Sequence, residues 1–416
     1  MKKLLSLLLT TLLVFSLIFT TGCDFGDQNT DVGADNVGNT SNENNEEVVT
    51  DAPDPERDEF IAGLGGVSDT FKGAVSDKSY SSSDEAAKAY VSVELVGSNE
   101  AKVNSVVSKG TLDSNGITKA GIPQDLIAGC DAVEELEVVY EVAAPIELNN
   151  DNGIVNLAKE KVNESYTVKV YVIKFGVDWK YFTPMPVTGD TISKSYYDSV
   201  FNAEKYKNCT LNVTSEVGVI ISAQGETMNM TATTQQLIKH ADGKVYMEQI
   251  ITTSDGANSS ENYVAAYMEE VDDGVKCYVK LKRDGDWYVG NFNSLGFDTL
   301  DELTPFYDQY LDYSYFTKTG YGFKLADENA LSYFYQTLAG AFEQLGMASF
   351  TDDMGLDMYA EYYVADGVLS GMRVDAAVDL SMNMEGVTMV LHETVTTITK
   401  CTDYGTTEVE CPVEEF

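Results

Sequence analysis

The stretch KHADGKVYMEQIITTSDGANSSENYVAAYMEEVDDGVKCYVKLKRDGDW, residues 239–287, decides the fold. It carries Asp-Gly at 242–243, 255–256, 273–274 and 284–285, each step lying between runs rich in Val, Ile and Tyr. Asp-Gly suits a two-residue hairpin because both central residues need φ > 0, which β-branched residues resist. The series therefore predicts an up-and-down antiparallel meander. Working outward, candidate strands fall at 209–222, 227–239, 244–252, 263–270, 275–282 and 287–292. The pattern resumes at 357–365, 368–379, 382–400 and 406–411, with a further Asp-Gly at 366–367. Two helices are expected between these groups. Thr304-Pro305 supplies a cap and first position for one that carries Phe306, Tyr307, Tyr310 and Leu311. Asp327 caps a longer one, in which Leu331, Phe334, Leu338, Phe342 and Leu345 recur every three or four residues before Gly346.

Upstream lies a smaller globular segment, residues 58–191. Ser83 precedes an expected helix over 84–96, with Ala87, Tyr90, Val91 and Leu95 as its buried stripe. Turn signals follow at Asn115-Gly116 and Asn152-Gly153. The strongest strand is 166–175, with Tyr166, Val168, Val170 and Val172 on one face. A turn at Gly176 leads to Trp179-Lys180-Tyr181-Phe182. One helix before antiparallel strands gives a small α+β unit, faintly similar to NTF2-like or cystatin-like curved sheets. Residues 193–208 are expected to form a short helix joining it to the meander. The fold class expected for the whole chain is α+β: a helix-plus-antiparallel-sheet domain, then residues 192–416 as a curved antiparallel sheet with inserted helices.

The N-terminus reads as an address. Lys2 and Lys3 precede a mostly apolar run of 16 residues, Leu4 to Phe19, which is short for a spanning helix at about 20 residues. Small residues and Cys23 follow, in the run Phe19-Thr20-Thr21-Gly22-Cys23. This order resembles the bacterial lipoprotein signal peptide, with Thr20 where that family usually has Leu. The resemblance implies removal of residues 1–22 and a diacylglyceryl, palmitate-type modification on Cys23. The chain would then sit on the extracytoplasmic face of the cell membrane. Two acyl chains anchor stably where one does not, since each buried methylene contributes about 0.8 kcal/mol. Residues 24–59 hold 12 Asp/Glu and a single basic residue, Arg57. Such one-sign, weakly apolar sequence favours a solvated tether, assigned to residues 23–57 and roughly 30 Å in r.m.s. span as a flexible coil.

Composition excludes some partners. The chain has 416 residues and a formal charge of −40, so nucleic acid is a very poor partner and no basic patch meets phosphates. Apolar content of 44% is ample for packed cores. No catalytic signature is present: no G-x-S-x-G elbow, no Walker loop and no H-E-x-x-H. The histidines are His240, expected exposed before a hairpin turn, and His392, expected as a satisfied sheet residue. Cysteine spacing gives no zinc site, and neither a cofactor nor a metal is called for. Among Cys130, Cys209, Cys277, Cys401 and Cys411, the pair Cys401 and Cys411 is the first to test for a disulfide. Small apolar thiols in strands are the other reading.

The order of long strands, inserted helices and more strands resembles the LolA/LppX/LprG-like envelope lipoproteins over residues 208–416. The carrying features are the Asp-Gly series ending in Gly285-Asp286-Trp287-Tyr288, the two apolar helices at 304–346, and the ending Thr397-Ile398-Thr399, Asp403-Tyr404-Gly405 and Val409-Glu410-Cys411-Pro412. The resemblance implies a half-barrel closed by helices, with a cavity for lipid or another apolar ligand and no enzyme activity. Candidate lining residues are Phe306, Tyr310, Phe334, Leu338 and Phe342 from the helices, with Met228, Met230, Met382 and Met384 from the strands. Met adapts to varied apolar surfaces; the same spacing also suits a plain core. Envelope proteins are the other expected partners, and a purely interacting lipoprotein with a filled core is the alternative.

Overall fold

The structure is a computed structural model that describes residues 55–64, 70–97, 101–143, 148–151, 154–157, 163–223, 226–241, 243–272, 274–292, 300, 312–330, 333, 355–384 and 387–413. The described residues are predominantly antiparallel sheet. The expected apolar helices at 304–346 lie largely outside them, as do the expected signal sequence, residues 1–22, and Cys23.

The first sheet has five strands: β1 (Ala74–Val75), β2 (Ala101–Thr111), β3 (Ala132–Ala143), β6 (Asn163–Phe175) and β7 (Asp178–Thr183), in the order β1-β7-β6-β3-β2. A separate hairpin, β4 (Leu148–Asp151) and β5 (Ile154–Leu157), pairs Asp151 with Ile154, in keeping with the turn signal at Asn152-Gly153. Helix α2 (Ser83–Tyr90) starts one residue early: Ser82 Oγ, not Ser83, accepts from Glu85 N at 3.2 Å. It continues as a π-helical turn, Val91–Leu95. Ala86, Ala87, Tyr90 and Val91 pack on Leu136, Val138, Val170 and Val172. Asn115-Gly116 is not a hairpin turn. Asp113 Oδ1 accepts from Gly116 N at 2.7 Å and caps a short helix, α3 (Ser114–Lys119). An Asx cap two residues upstream outweighs the local Asn-Gly preference.

The second sheet has eleven strands. Six meander outward: β8 (Cys209–Ala223), β9 (Glu226–Ala241), β10 (Lys244–Ser254), β11 (Ser259–Val271), β12 (Gly274–Lys280) and β13 (Tyr288–Val289). Five meander back: β14 (Phe316–Lys318), β15 (Gly322–Leu325), β16 (Gly355–Ala365), β17 (Val368–Met384) and β18 (Val387–Thr402). The order is β13-β12-β11-β10-β9-β8-β18-β17-β16-β15-β14, so the first and last strands meet at the centre. The sheet is curved and open, and the chain between β13 and β14 passes from one edge to the other. At Ala365↔Val368 the expected Asp-Gly turn forms, with Asp366 at φ 52° and Gly367 at φ 74°. The run 382–400 is two strands, since Met384 pairs with Val387. Strands β14 and β15 form between the two expected helices, where no strand is expected. The expected strand at 406–411 does not form. β18 already has β8 and β17 as neighbours, so the chain turns away. Thr407 N then donates to Asn208 Oδ1 at 2.8 Å, and Val409 packs with Ala241 and Tyr267.

Two further segments clasp the large sheet. Residues 189–192 run beside β14 through Gly189 N to Lys318 O (2.8 Å) and Ile192 N to Phe316 O (3.0 Å), covering an edge that would otherwise invite pairing. Helix α1 (Pro55–Gly63) lies on the side of the large sheet opposite its main apolar core, where a Cβ on Gly371 would meet Leu64 and Phe60. The tether boundary expected at 57 therefore falls inside a docked helix.

The two sheets are joined through the π turn. Glu94 is buried there: its Oε1 accepts from Tyr181 Oη and Ser195 Oγ, each at 3.0 Å, and its Oε2 accepts from Ser195 N at 2.8 Å. Tyr313 Oη donates to Val93 O and accepts from Gly97 N. Ser195 opens α4 (Lys194–Val200), so one carboxylate ties β7 of the small sheet to the helix leading into the large one. Glu94→Gln should lower stability by about 2 kcal/mol, because a carboxamide offers one acceptor where both oxygens are used. Urea unfolding checks this, and an unchanged midpoint would refute the staple.

Candidate inward-face site

Period-two alternation places one side of β8, β9, β16, β17 and β18 on a shared apolar core. The pairing register arranges that side in rows. Thr234, Ser215 and Thr397 form a polar row, with Ser215 Oγ and Thr397 Oγ1 3.0 Å apart. Ala232, Val217, Val395 and Ala376 form the next, all small or β-branched. Met230, Val219, Glu393, Val378 and Leu356 follow. Ile221 and Leu391 continue toward the hairpin ends.

Toward β14 the same side is solid. Phe316 and Phe323 are fully buried; Phe323 stacks on Tyr362 at 4.9 Å, and Tyr196, Tyr197, Phe201 and Tyr333 close around them. Phe316, Phe323 and Tyr333 thus fill a core.

The centre differs. Among the described residues, Gln236 Oε1, His240 Nε2, Thr399 Oγ1 and Glu393 Oε1 are buried without a hydrogen-bond partner, and all four side chains share this inward side. Buried polar atoms of folded proteins are nearly always satisfied by protein, water or ligand. Burial pushes the Glu393 carboxyl up from its ordinary 4.5 to about 7. Burial likewise pushes His240 down to about 4. His240 is 3% exposed, a correction to the exposed position expected from the nearby turn. It lies across from Cys209 on β8, one residue before β9 ends, on the inward parity of β9. His392 meets its expectation: it faces outward, with Nδ1 2.7 Å from Asp379 Oδ1.

Of the candidate lining residues, Met230 is buried on the inward side, and Met228 shares its parity but is 42% exposed. Met382 and Met384 lie in β17, paired with Met389 and Val387, and their side chains are outside the described set. Phe306, Tyr310, Phe334, Leu338 and Phe342 also lie outside it. Gln236, His240, Thr399 and Glu393 were missed by sequence reasoning. The signal was available: Glu393 occupies the apolar phase of Leu391, Val395, Thr397, Thr399 and Cys401.

The Cys401–Cys411 bridge is not formed; both are free thiols. Cys401 points into the core beside Cys209 and Tyr404, whereas Cys411 is exposed beyond the turn at 403–405. Burial pushes the Cys401 thiol up to about 12, so it stays protonated and inert. Native alkylation should therefore label Cys411 first and leave Cys209, Cys277 and Cys401 unmodified until the protein unfolds. Mass spectrometry of the native protein checks this, and early labelling of Cys401 would refute it.

No protein family matches the sequence, and no curated protein does. Two solved structures are similar to parts of it. One is a DUF1329 family protein from Desulfovibrio piger, at 8% identity, covering 53% of this chain and 94% of that one, with a TM-score of 0.15. The other is Pseudomonas aeruginosa OpdQ, at 9% identity, covering 65% and 90%, with a TM-score of 0.11. Likenesses of this size decide neither fold nor function.

Proposed function

We propose that the chain is a non-catalytic lipoprotein, anchored through Cys23 on the extracytoplasmic face of a bacterial membrane, that holds an apolar ligand against the inward side of its large sheet. One observation supports the ligand above all: four orphaned polar atoms share the inward side of β9 and β18. A core packed for stability alone would carry apolar side chains there, because each unsatisfied buried group costs about 1–3 kcal/mol. The LolA-like reading of residues 208–416 fits the open, curved sheet. The second reading, an interaction lipoprotein with a filled core, draws on the aromatic packing around Phe316 and Phe323.

Native mass spectrometry of the purified full chain separates the two. A co-purifying small molecule that leaves on delipidation supports the ligand reading. A ligand-free protein that takes up no apolar probe overturns it in favour of the filled core. Lipid on Cys23 is read from the same spectra, as a diacylglyceryl mass increment on a chain beginning at that residue.

A further inference from the structure

Glu393 is the one buried acidic side chain on the described inward positions of β8, β9, β16, β17 and β18; Glu226, which shares that parity, stands exposed at the start of β9. Its direct cross-strand neighbours are Val219 and Val378. Beyond them in the same row stand Met230 and Leu356, and along its own strand Leu391 and Val395. The carboxyl is 4% exposed, and its Oε1 has no hydrogen-bond partner among the described residues. No cation faces it from either flanking strand: Val217, Val219 and Ile221 are its β8 neighbours, and Ala376 and Val378 its β17 neighbours. The nearest titratable group of this parity, Glu226, is exposed at the start of β9 and also acidic, while Tyr362, Cys401, Cys209 and His240 lie farther along the strands toward the opposite end.

Resting on the ligand-binding reading above, we propose that the ligand is a cationic amphiphile, an alkylammonium head on an apolar body, and that Glu393 is its counter-charge. A carboxylate set alone in an apolar wall is unfavourable, and the penalty is offset only by a paired, hydrogen-bonding opposite charge. An ammonium supplies both charge and donors in one group. An anionic head would set two like charges together in a poorly screened site. The chain's formal charge of −40 acts in the same sense, drawing cations toward the protein and repelling anions. A neutral alcohol would gain the hydrogen bond without the charge. Met230 and Leu356 at the two ends of the Glu393 row, with Ile221 and Leu391 beyond, give the apolar body a wall on which to lie. The carboxyl of the free protein, held near 7 by burial, adds a pH sense: amine affinity should weaken as pH falls below 7.

The test is calorimetric titration of the purified full chain with dodecylammonium, dodecanol and dodecanoate, each below its micellar concentration. The expected result is one saturable site, with dodecylammonium at least tenfold tighter than dodecanol and dodecanoate weakest. Glu393→Gln should remove at least tenfold of the amine's affinity and leave dodecanol binding unchanged. Glu393→Met, which fills the row with an apolar side chain, guards against a variant that fails to fold and should behave alike. If dodecanol binds but the amine gains nothing, or the amine binds equally well to wild type and Glu393→Gln, the role of Glu393 is overturned while the ligand site stands. If none of the three probes binds, the ligand-binding reading itself fails.

Discussion

Replacing Arg57 with Ala is expected to destabilise the protein by about 3–5 kcal/mol, the usual cost of leaving a buried charge without its partner. Arg57 stands in α1, and its guanidinium grips Glu361 on the side of β16 opposite the inward core: Nε donates to Oε2 at 2.8 Å and Nη2 to Oε1 at 2.5 Å. The Glu361 side chain is fully buried and that of Arg57 is 12% exposed, so solvent screening is weak. Tyr359 and Tyr363 each donate to Glu361 Oε2 at 2.6 Å. Burial, reinforced by the Glu361 charge, pushes both hydroxyls above their ordinary range and keeps them as donors. Arg57 also lies over Tyr321 at 5.4 Å, and Phe60 meets Tyr363 edge-on at 5.3 Å. Removing the guanidinium strands the carboxylate, whereas Glu361→Gln in the Arg57→Ala background should recover part of the loss by removing the charge. Arg57→Lys should fall between, because an ammonium cannot make the two-pronged contact. Urea unfolding of the four proteins measures this. A change below about 0.5 kcal/mol in Arg57→Ala, as for an ordinary surface site, would refute the clamp. Functionally, the clamp fixes where the proposed tether from Cys23 would join the fold: on the side of the large sheet opposite the proposed ligand side.

The meander was legible because its signals are local. Asp-Gly steps and period-two runs set β8 to β12 to within a few residues, and of the expected helical stripe Ala87, Tyr90 and Val91 are buried while Leu95 is half-buried. What the sequence hid depends on distant contacts. Nothing near Thr406 tells that β18 will already have two neighbours, so an alternating run there reads as a strand. The turn beside His240 argued for exposure, yet strand parity, together with Cys209 across the ladder, buries it. Arg57 looked like the lone base of an acidic tether, and only the fold brings it to Glu361, 304 residues away. Glu393 was hidden differently: a single acid in an alternating strand marks a site only once both flanking strands are known to present Val.

The stability profile with pH should show that Glu393 and His240 act in opposite senses. Burial raises the Glu393 carboxyl from 4.5 to about 7, so the folded state holds its proton more tightly than the unfolded chain. That stability is fully present below pH 4.5 and is lost as pH rises through 7. Burial lowers His240 from 6.5 to about 4, so here the unfolded chain is the better proton acceptor. That stability is present above pH 6.5 and is lost as pH falls through 4. Each difference in proton affinity is worth about 3 kcal/mol. Between pH 4.5 and 6.5 the two slopes are equal and opposite, so their sum vanishes in the wild type. The sites are independent, since ten residues of β9, about 33 Å of strand, separate His240 from the Glu393 row. Each single variant should therefore unmask the other group. Glu393→Gln should gain about 3 kcal/mol relative to wild type as pH rises from 4.5 to 7, and His240→Gln should lose about 3 kcal/mol relative to wild type from pH 4 to 6.5. Every other carboxylate cancels in these differences, and the double variant should track the wild type between pH 4.5 and 6.5. Urea unfolding across that range decides it: single variants running parallel to the wild type would mean that neither group keeps its buried, neutral form in the folded protein.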